Sequence, residues 1–172
     1  MKKYLVLLLA LTASLGTLCA QKIGYVNTET ILSGIPAYAA AQEQLNTLSD
    51  KYRATIESEM SKIETLYQNY QASRGSMTAS ARQNAENEII SKERVVQEKQ
   101  KIYFGEDGIM AKRAEELLSP IRREVDKAIE QVAAQGGYGL IIDLAATQGV
   151  VYKNTALDLT TQVLARYFEN QN

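Results

Sequence analysis

Histidine and tryptophan are absent from the 172 residues, cysteine occurs once and proline twice. Without imidazole, the usual general base and metal ligand near neutral pH, hydrolases built on histidine with serine, cysteine or zinc are excluded. Carboxylate, lysine, tyrosine or serine chemistry would remain, but no such residues converge. Glu57 with Glu59, Glu86 with Glu88 and Glu115 with Glu116 are one or two positions apart in helical sequence and point in different directions. Gly105-Glu106-Asp107-Gly108 lacks the spaced oxygen ligands of a calcium loop, and its two glycines form no phosphate-binding fingerprint. No metal, no cofactor and no enzymatic activity are therefore expected. A large excess of one charge is also missing: 19 basic residues face 20 acidic ones, with no basic stripe for nucleic acid.

The longest hydrophobic run, Leu5 to Leu11, is too short to span a membrane, which takes roughly 20 residues. Lys2 and Lys3 precede it and Gly16 to Ala20 follow with mostly small side chains, the layout of a secretory signal peptide spanning residues 1–20. Cleavage after Ala20 is expected, with Gly16 offering a second site; Leu18 before Cys19 argues against lipid attachment. The remaining 152 residues then hold no cysteine and carry a formal charge of −3. An exported, disulfide-free protein without a stable membrane anchor is the expectation.

Glycine and proline are missing from residues 37–74, where Tyr38, Ala41, Leu45, Leu48, Tyr52 and Ile56 recur at spacings of three or four, followed by Met60, Ile63, Tyr67 and Tyr70. This is one apolar stripe on a helix roughly 57 Å long, with successive spacings of four around Ile56 that resemble a coiled-coil stutter. A helix of that reach must project or lie against another of similar length. Ser73 to Ser76 reads as a turn, Ser80 with Gln83 as a capping box, and a second helix runs to Phe104. Its stripe of Ala81, Ala85, Ile89, Val96 and Tyr103 is interrupted by Lys92 and Lys99, so the pair reads as a weakly held antiparallel hairpin. After the GEDG break a more strongly apolar helix runs to Gly136-Gly137, with Pro120 expected to kink or restart it.

Strands are expected at residues 23–27, 138–143 and 150–153, the last two as a hairpin, and Asp158 is expected to cap a final helix. The first strand has its partners more than 110 residues later, so the helical hairpin, residues 37–120, is an excursion from one body made of 21–36 and 121–172. A body of about 60 residues with strands apolar on both faces cannot cover itself, and self-association is the physical remedy. Ile23, Tyr25, Leu140, Ile142 and Val151 are its expected core or subunit-contact residues.

The stretches IGYVNTETILSGIPAY at 23–38, FGEDGIMAKRAEELLSPI at 104–121 and GGYGLIIDLAATQGVVYKNTALDLTTQVLARY at 136–167 resemble the Skp/OmpH family of periplasmic chaperones, over nearly all of the expected mature chain. The resemblance implies an α+β fold, a long antiparallel helical hairpin forming a coiled-coil-like arm inserted into a small β-rich oligomerisation body. It implies a homotrimer shaped like a jellyfish that holds unfolded outer-membrane β-barrel proteins between its arms without ATP. Family members are often strongly basic; this chain is not, so lipopolysaccharide binding is not carried over.

On this reading Tyr52, Ile56, Met60, Tyr67, Tyr70 and Tyr103 are candidate client contacts, because tyrosine and methionine adapt to varied partners. Their spacing equally suits packing inside the hairpin. Lys92 and Lys99 read first as solvated charges and second as electrostatic guides. A periplasmic scaffold or adaptor binding one folded partner is the alternative, since helical hairpins serve both roles.

Overall fold

Residues 21–171 are described in a computed structural model of the chain; the expected signal peptide, with its cleavage point after Ala20, lies outside the described residues. In chain order the elements are β1 (Lys22–Val26), α1 (Thr28–Ser33), α2 (Pro36–Ser73), α3 (Ala79–Phe104), α4 (Ile109–Gly136), β2 (Tyr138–Asp143), a short 3-10 turn (Thr155–Leu157) and α5 (Thr160–Glu169). They fall into two compact units, one of residues 21–31 with 125–171, the other of residues 32–124.

The second unit follows from its punctuation. Pro36 sits in the first turn of α2, where its missing amide costs nothing. No glycine or proline then interrupts 37 residues. α2 pairs with α3 as a hairpin, and Ala41 and Leu45 near its start are buried with Leu118 of α4. Tyr38, Met110, Ala114, Leu117 and Ile121 complete that small core. The cap of α3 is Thr78, whose hydroxyl accepts from the Ala81 amide at 3.2 Å, and not the expected Ser80. Pro120 neither restarts nor ends α4, which runs unbroken through it. Leu118 and Val125, on either side of it, are buried, and the proline costs the helix one backbone hydrogen bond.

The first unit is built on a parallel pair, β1 with β2, in the register Ile23 to Leu140 and Tyr25 to Ile142. The expected third strand at 150–153 does not form in the single chain, where Val151 is 100% exposed and Tyr152 82%. The place beside β1 is instead taken by Asp158, which bridges Tyr25, while the Leu159 amide donates to the Tyr25 carbonyl at 2.9 Å. Asp158 also caps differently from expectation. Its carboxylate accepts from the Thr160 amide at 3.0 Å, one residue before the boundary position held by Leu159. Val26, Ile31, Leu159 and Val163 are the largest fully buried side chains of this unit. Gly137 joins α4 to β2 with φ +66, the left-handed conformation that glycine adopts without penalty.

Polar side chains tie the unit together. Asp143, at the end of β2, accepts from the Thr28 amide at 3.1 Å, the Thr28 hydroxyl at 2.6 Å and the Ala145 amide at 3.0 Å. Thr160 accepts from the Asn27 amide at 3.0 Å. Arg166 of α5 and Asn170, just after its end, donate to Gln135 and Gln131 in the last turns of α4.

Candidate functional site

The hairpin seam decides which side chains remain available to a partner. Ile56 and Tyr70 of α2 are buried, as are Ile89 and Val96 of α3. Tyr52 stacks on Tyr103 with ring centroids 4.1 Å apart, and Phe104 stands edge-on to both rings at 6.5 Å. The Tyr70 hydroxyl donates to the Glu86 carboxylate near the tip of the hairpin. That hydrogen bond, followed by burial, pushes the Tyr70 pKa up. Four of the six residues singled out from the sequence therefore pack within the hairpin.

The other two do not. Met60 is 52% and Tyr67 47% exposed, because the seam passes through Glu59 and Leu66, one position earlier on each turn. Glu59 receives a hydrogen bond from Lys99 of α3 across the seam, and this bond outweighs burial to lift the Lys99 pKa. Lys99 is thus a partner within the hairpin rather than a solvated charge. Lys92 pairs along its own helix with Glu88 at 3.6 Å and stays exposed.

Sequence reasoning missed Ile90, Val95 and Ile102 on α3, all of which are exposed. The signal was present in the doublets Ile89-Ile90 and Val95-Val96 and in the run Ile102-Tyr103-Phe104. A helix turns about 100° per residue, so a seam that takes one member must leave its neighbour outside. Between α2 and α3, a groove of about 710 Å³ opens over Ile63, Leu66, Val95 and Val96, with Lys62, Lys92 and Lys99 around it.

Of the expected body residues, Tyr25 is buried and Ile142 half-buried. Burial, with the nearby Asp158 carboxylate, pushes the Tyr25 pKa up, and the Lys153 ammonium lies 5.2 Å over its ring. Ile23, Leu140 and Val151 are exposed in the single chain. β2 has no strand partner on its far edge among the described residues. Among those residues there is also no group of three or more acidic side chains placed to hold a metal, and no helix long and apolar enough to cross a membrane.

The family model described as outer membrane protein (OmpH-like) matches residues 22–167. A Yersinia enterocolitica protein named Chaperone protein Skp is 32% identical, the match covering 95% of this chain and 98% of that protein. One of the same name from Yersinia pseudotuberculosis is 34% identical over the same shares. A solved chain from Caulobacter crescentus, described as an outer membrane chaperone (OmpH-like), shares the fold with a TM-score of 0.65 at 17% identity, covering 88% of this chain and 86% of that one.

Proposed function

The chain belongs to the OmpH-like family, and from that premise we propose that it is an ATP-independent holdase that keeps unfolded outer-membrane β-barrel proteins from aggregating in the periplasm. The observation that carries this reading is the family match over nearly all of the described chain, to relatives named as chaperones. The hairpin supports it. Apolar side chains scattered outside the seam, Met60 and Tyr67 on α2 with Ile90, Val95 and Ile102 on α3, offer many weak contacts to a non-native chain. No catalytic group is needed, because binding the unfolded client already competes with its self-association, and the client leaves when folding into the membrane gains more.

In this reading residues 1–20 direct export and are removed after Ala20, residues 37–120 form the arm, and residues 21–36 with 121–172 form the body of a homotrimer. Ile23, Leu140 and Val151, exposed in one chain, are then covered at subunit contacts, where the free edge of β2 and the extended Val150–Lys153 segment supply unpaired backbone groups. The formal charge of −3 gives no reason to add an anionic lipid surface to the partners.

The test is dilution of a urea-unfolded outer-membrane barrel protein into buffer containing residues 21–172, without ATP, followed by light scattering. Suppression that saturates near three subunits per client is expected. Undiminished aggregation in the presence of a large excess of folded protein overturns the reading and favours a scaffold for a folded partner.

A further inference from the structure

The positions of α3 that follow the seam are Tyr103, Lys99, Val96, Lys92, Ile89 and Ala85, alternately four and three residues apart. This is the spacing of a two-helix seam in which each position inserts a side chain between residues of the facing helix. Two of the six are lysines, and they behave differently. Lys99 stays half-buried because Glu59 neutralises it from α2. Lys92 leaves the seam for Glu88 on its own helix. One knob is therefore missing, and the groove of about 710 Å³ opens at that level over Ile63, Leu66, Val95 and Val96. Those side chains have no protein neighbours on the open side, so they forgo contacts that an inserted apolar group would supply.

The charge around the opening is asymmetric. Glu59 is committed to Lys99, whereas the exposed pair of Lys92 with Glu88 is of the kind that contributes little and exchanges readily. Lys62 makes no ion pair among the described residues. An incoming carboxylate meets two available ammonium groups, while an incoming ammonium meets one carboxylate. From Glu59 to Leu66 the groove runs roughly 10 Å along α2, the length of about three extended residues.

We propose that this groove seats an extended segment of a non-native client, one apolar side chain entering the gap left by Lys92 and neighbouring carboxylates meeting Lys62 and Lys92. The proposal rests on the holdase reading and gives it a sequence preference: apolar residues flanked by aspartate or glutamate bind, and the same residues flanked by lysine do not.

The experiment titrates residues 21–172 into two fluorescein-labelled nine-residue peptides with identical apolar residues, alternating with aspartate in one and lysine in the other, and reads anisotropy. The aspartate peptide is expected to bind at least about tenfold more tightly. Lys92→Leu, which fills the groove, is expected to weaken it about tenfold, and Lys62→Glu, at an exposed site, to abolish the preference. Gln71→Ser, at an exposed α2 position outside the groove lining, is expected to leave the peptide affinity unchanged. Equal binding of the two peptides, or a preference that survives Lys62→Glu, overturns the proposal. Light scattering with an unfolded barrel separates the two readings. A peptide preference without suppression of aggregation sinks the holdase and keeps the groove; suppression without a preference sinks the groove and keeps the holdase.

Discussion

Tyr52 of α2 and Tyr103 of α3 lie face to face, their rings 11° from parallel and 4.1 Å apart. Both are half-buried, so the stack fixes the register of the two helices at the cost of removing both rings from most outside contact. Tyr103→Ala is expected to destabilise the hairpin by roughly 1–3 kcal/mol, less than a fully buried aromatic would cost. A double-mutant cycle with Tyr52→Ala should return a coupling of about 0.5–1.5 kcal/mol from urea unfolding followed by far-UV circular dichroism. Strict additivity would mean that the stack contributes only area.

Ile56 and Met60 are one helical turn apart and are expected to separate stability from binding. Ile56, 7% exposed, loses packing when truncated, and Ile56→Ala should cost about 2–4 kcal/mol. Met60→Ser and Tyr67→Ser should stay within about 0.5 kcal/mol in urea midpoint while lowering affinity for an unfolded barrel protein. Unchanged client affinity in the combined Met60 and Tyr67 variant would remove them as contact residues.

Lys99 and Glu59 form a partly exposed pair, so its value is modest and its identity replaceable. Glu59→Ala, which strands Lys99 at the seam, is expected to cost about 1 kcal/mol or less, and exchanging the two residues should recover most of it. The Lys99 pKa is raised by the Glu59 bond. Stability from that shift is present below the ordinary lysine value and fades as pH rises through the higher folded value. An alkaline titration of the urea midpoint should therefore fall more steeply for the native pair than for Lys99→Met.

The hairpin was legible because glycine and proline mark its ends, while the line of its seam was not. From Ile56 onward, Met60 and Tyr67 have the apolar character of seam residues, yet Glu59 and Leu66 hold those places. A periodicity of three and four cannot choose between adjacent positions, and the partner that draws Glu59 inward is 40 residues later in the chain. Tyr138–Asp143 was legible as a strand to its exact ends, since apolar residues follow a glycine pair. Val150–Lys153 was misread from β-propensity, which says that a segment suits a sheet but not that its own chain offers an edge. At Pro120 a restart of the helix was one of two expectations, and α4 runs on through it.

Asp143 should make the first unit acid-sensitive. Burial pushes its carboxyl up, but the hydrogen bonds from the Thr28 hydroxyl and amide and the Ala145 amide outweigh it and hold the pKa below 3.8. The carboxylate then stabilises the fold above the ordinary value, and that stabilisation is lost as pH falls through the lower folded one. The urea midpoint is expected to drop as pH falls below the ordinary aspartate value. Asp143→Asn keeps one acceptor but cannot accept the second Thr28 bond; it should cost about 1 kcal/mol at pH 7 and flatten the acid dependence. An unchanged acid slope would assign it to other carboxylates, beginning with Asp158.

Gly24, in the middle of β1, is required by its neighbours rather than by its backbone conformation. A Cβ there would stand 2.7 Å from Leu159 Cδ1 and 3.0 Å from the Tyr138 ring. Leu159 is 1% exposed, and its amide bonds the Tyr25 carbonyl one residue along, so a displaced leucine strains the pairing beside β1. Gly24→Ala is expected to destabilise the first unit by about 1–3 kcal/mol. Gly139→Ala, where the added carbon would meet only Gln21 at 3.5 Å, should change little and serves as the control on the partner strand. The chain has no tryptophan, so the unfolding is followed by the near-UV circular dichroism of its tyrosines. The clash account makes one further demand: in a Leu159→Ala background, which itself loses packing, the same Gly24→Ala change should cost much less, because the atom it strikes is gone. Equal costs in both backgrounds would mean that Leu159 is not the neighbour that needs the space, which leaves the Tyr138 ring as the one that does.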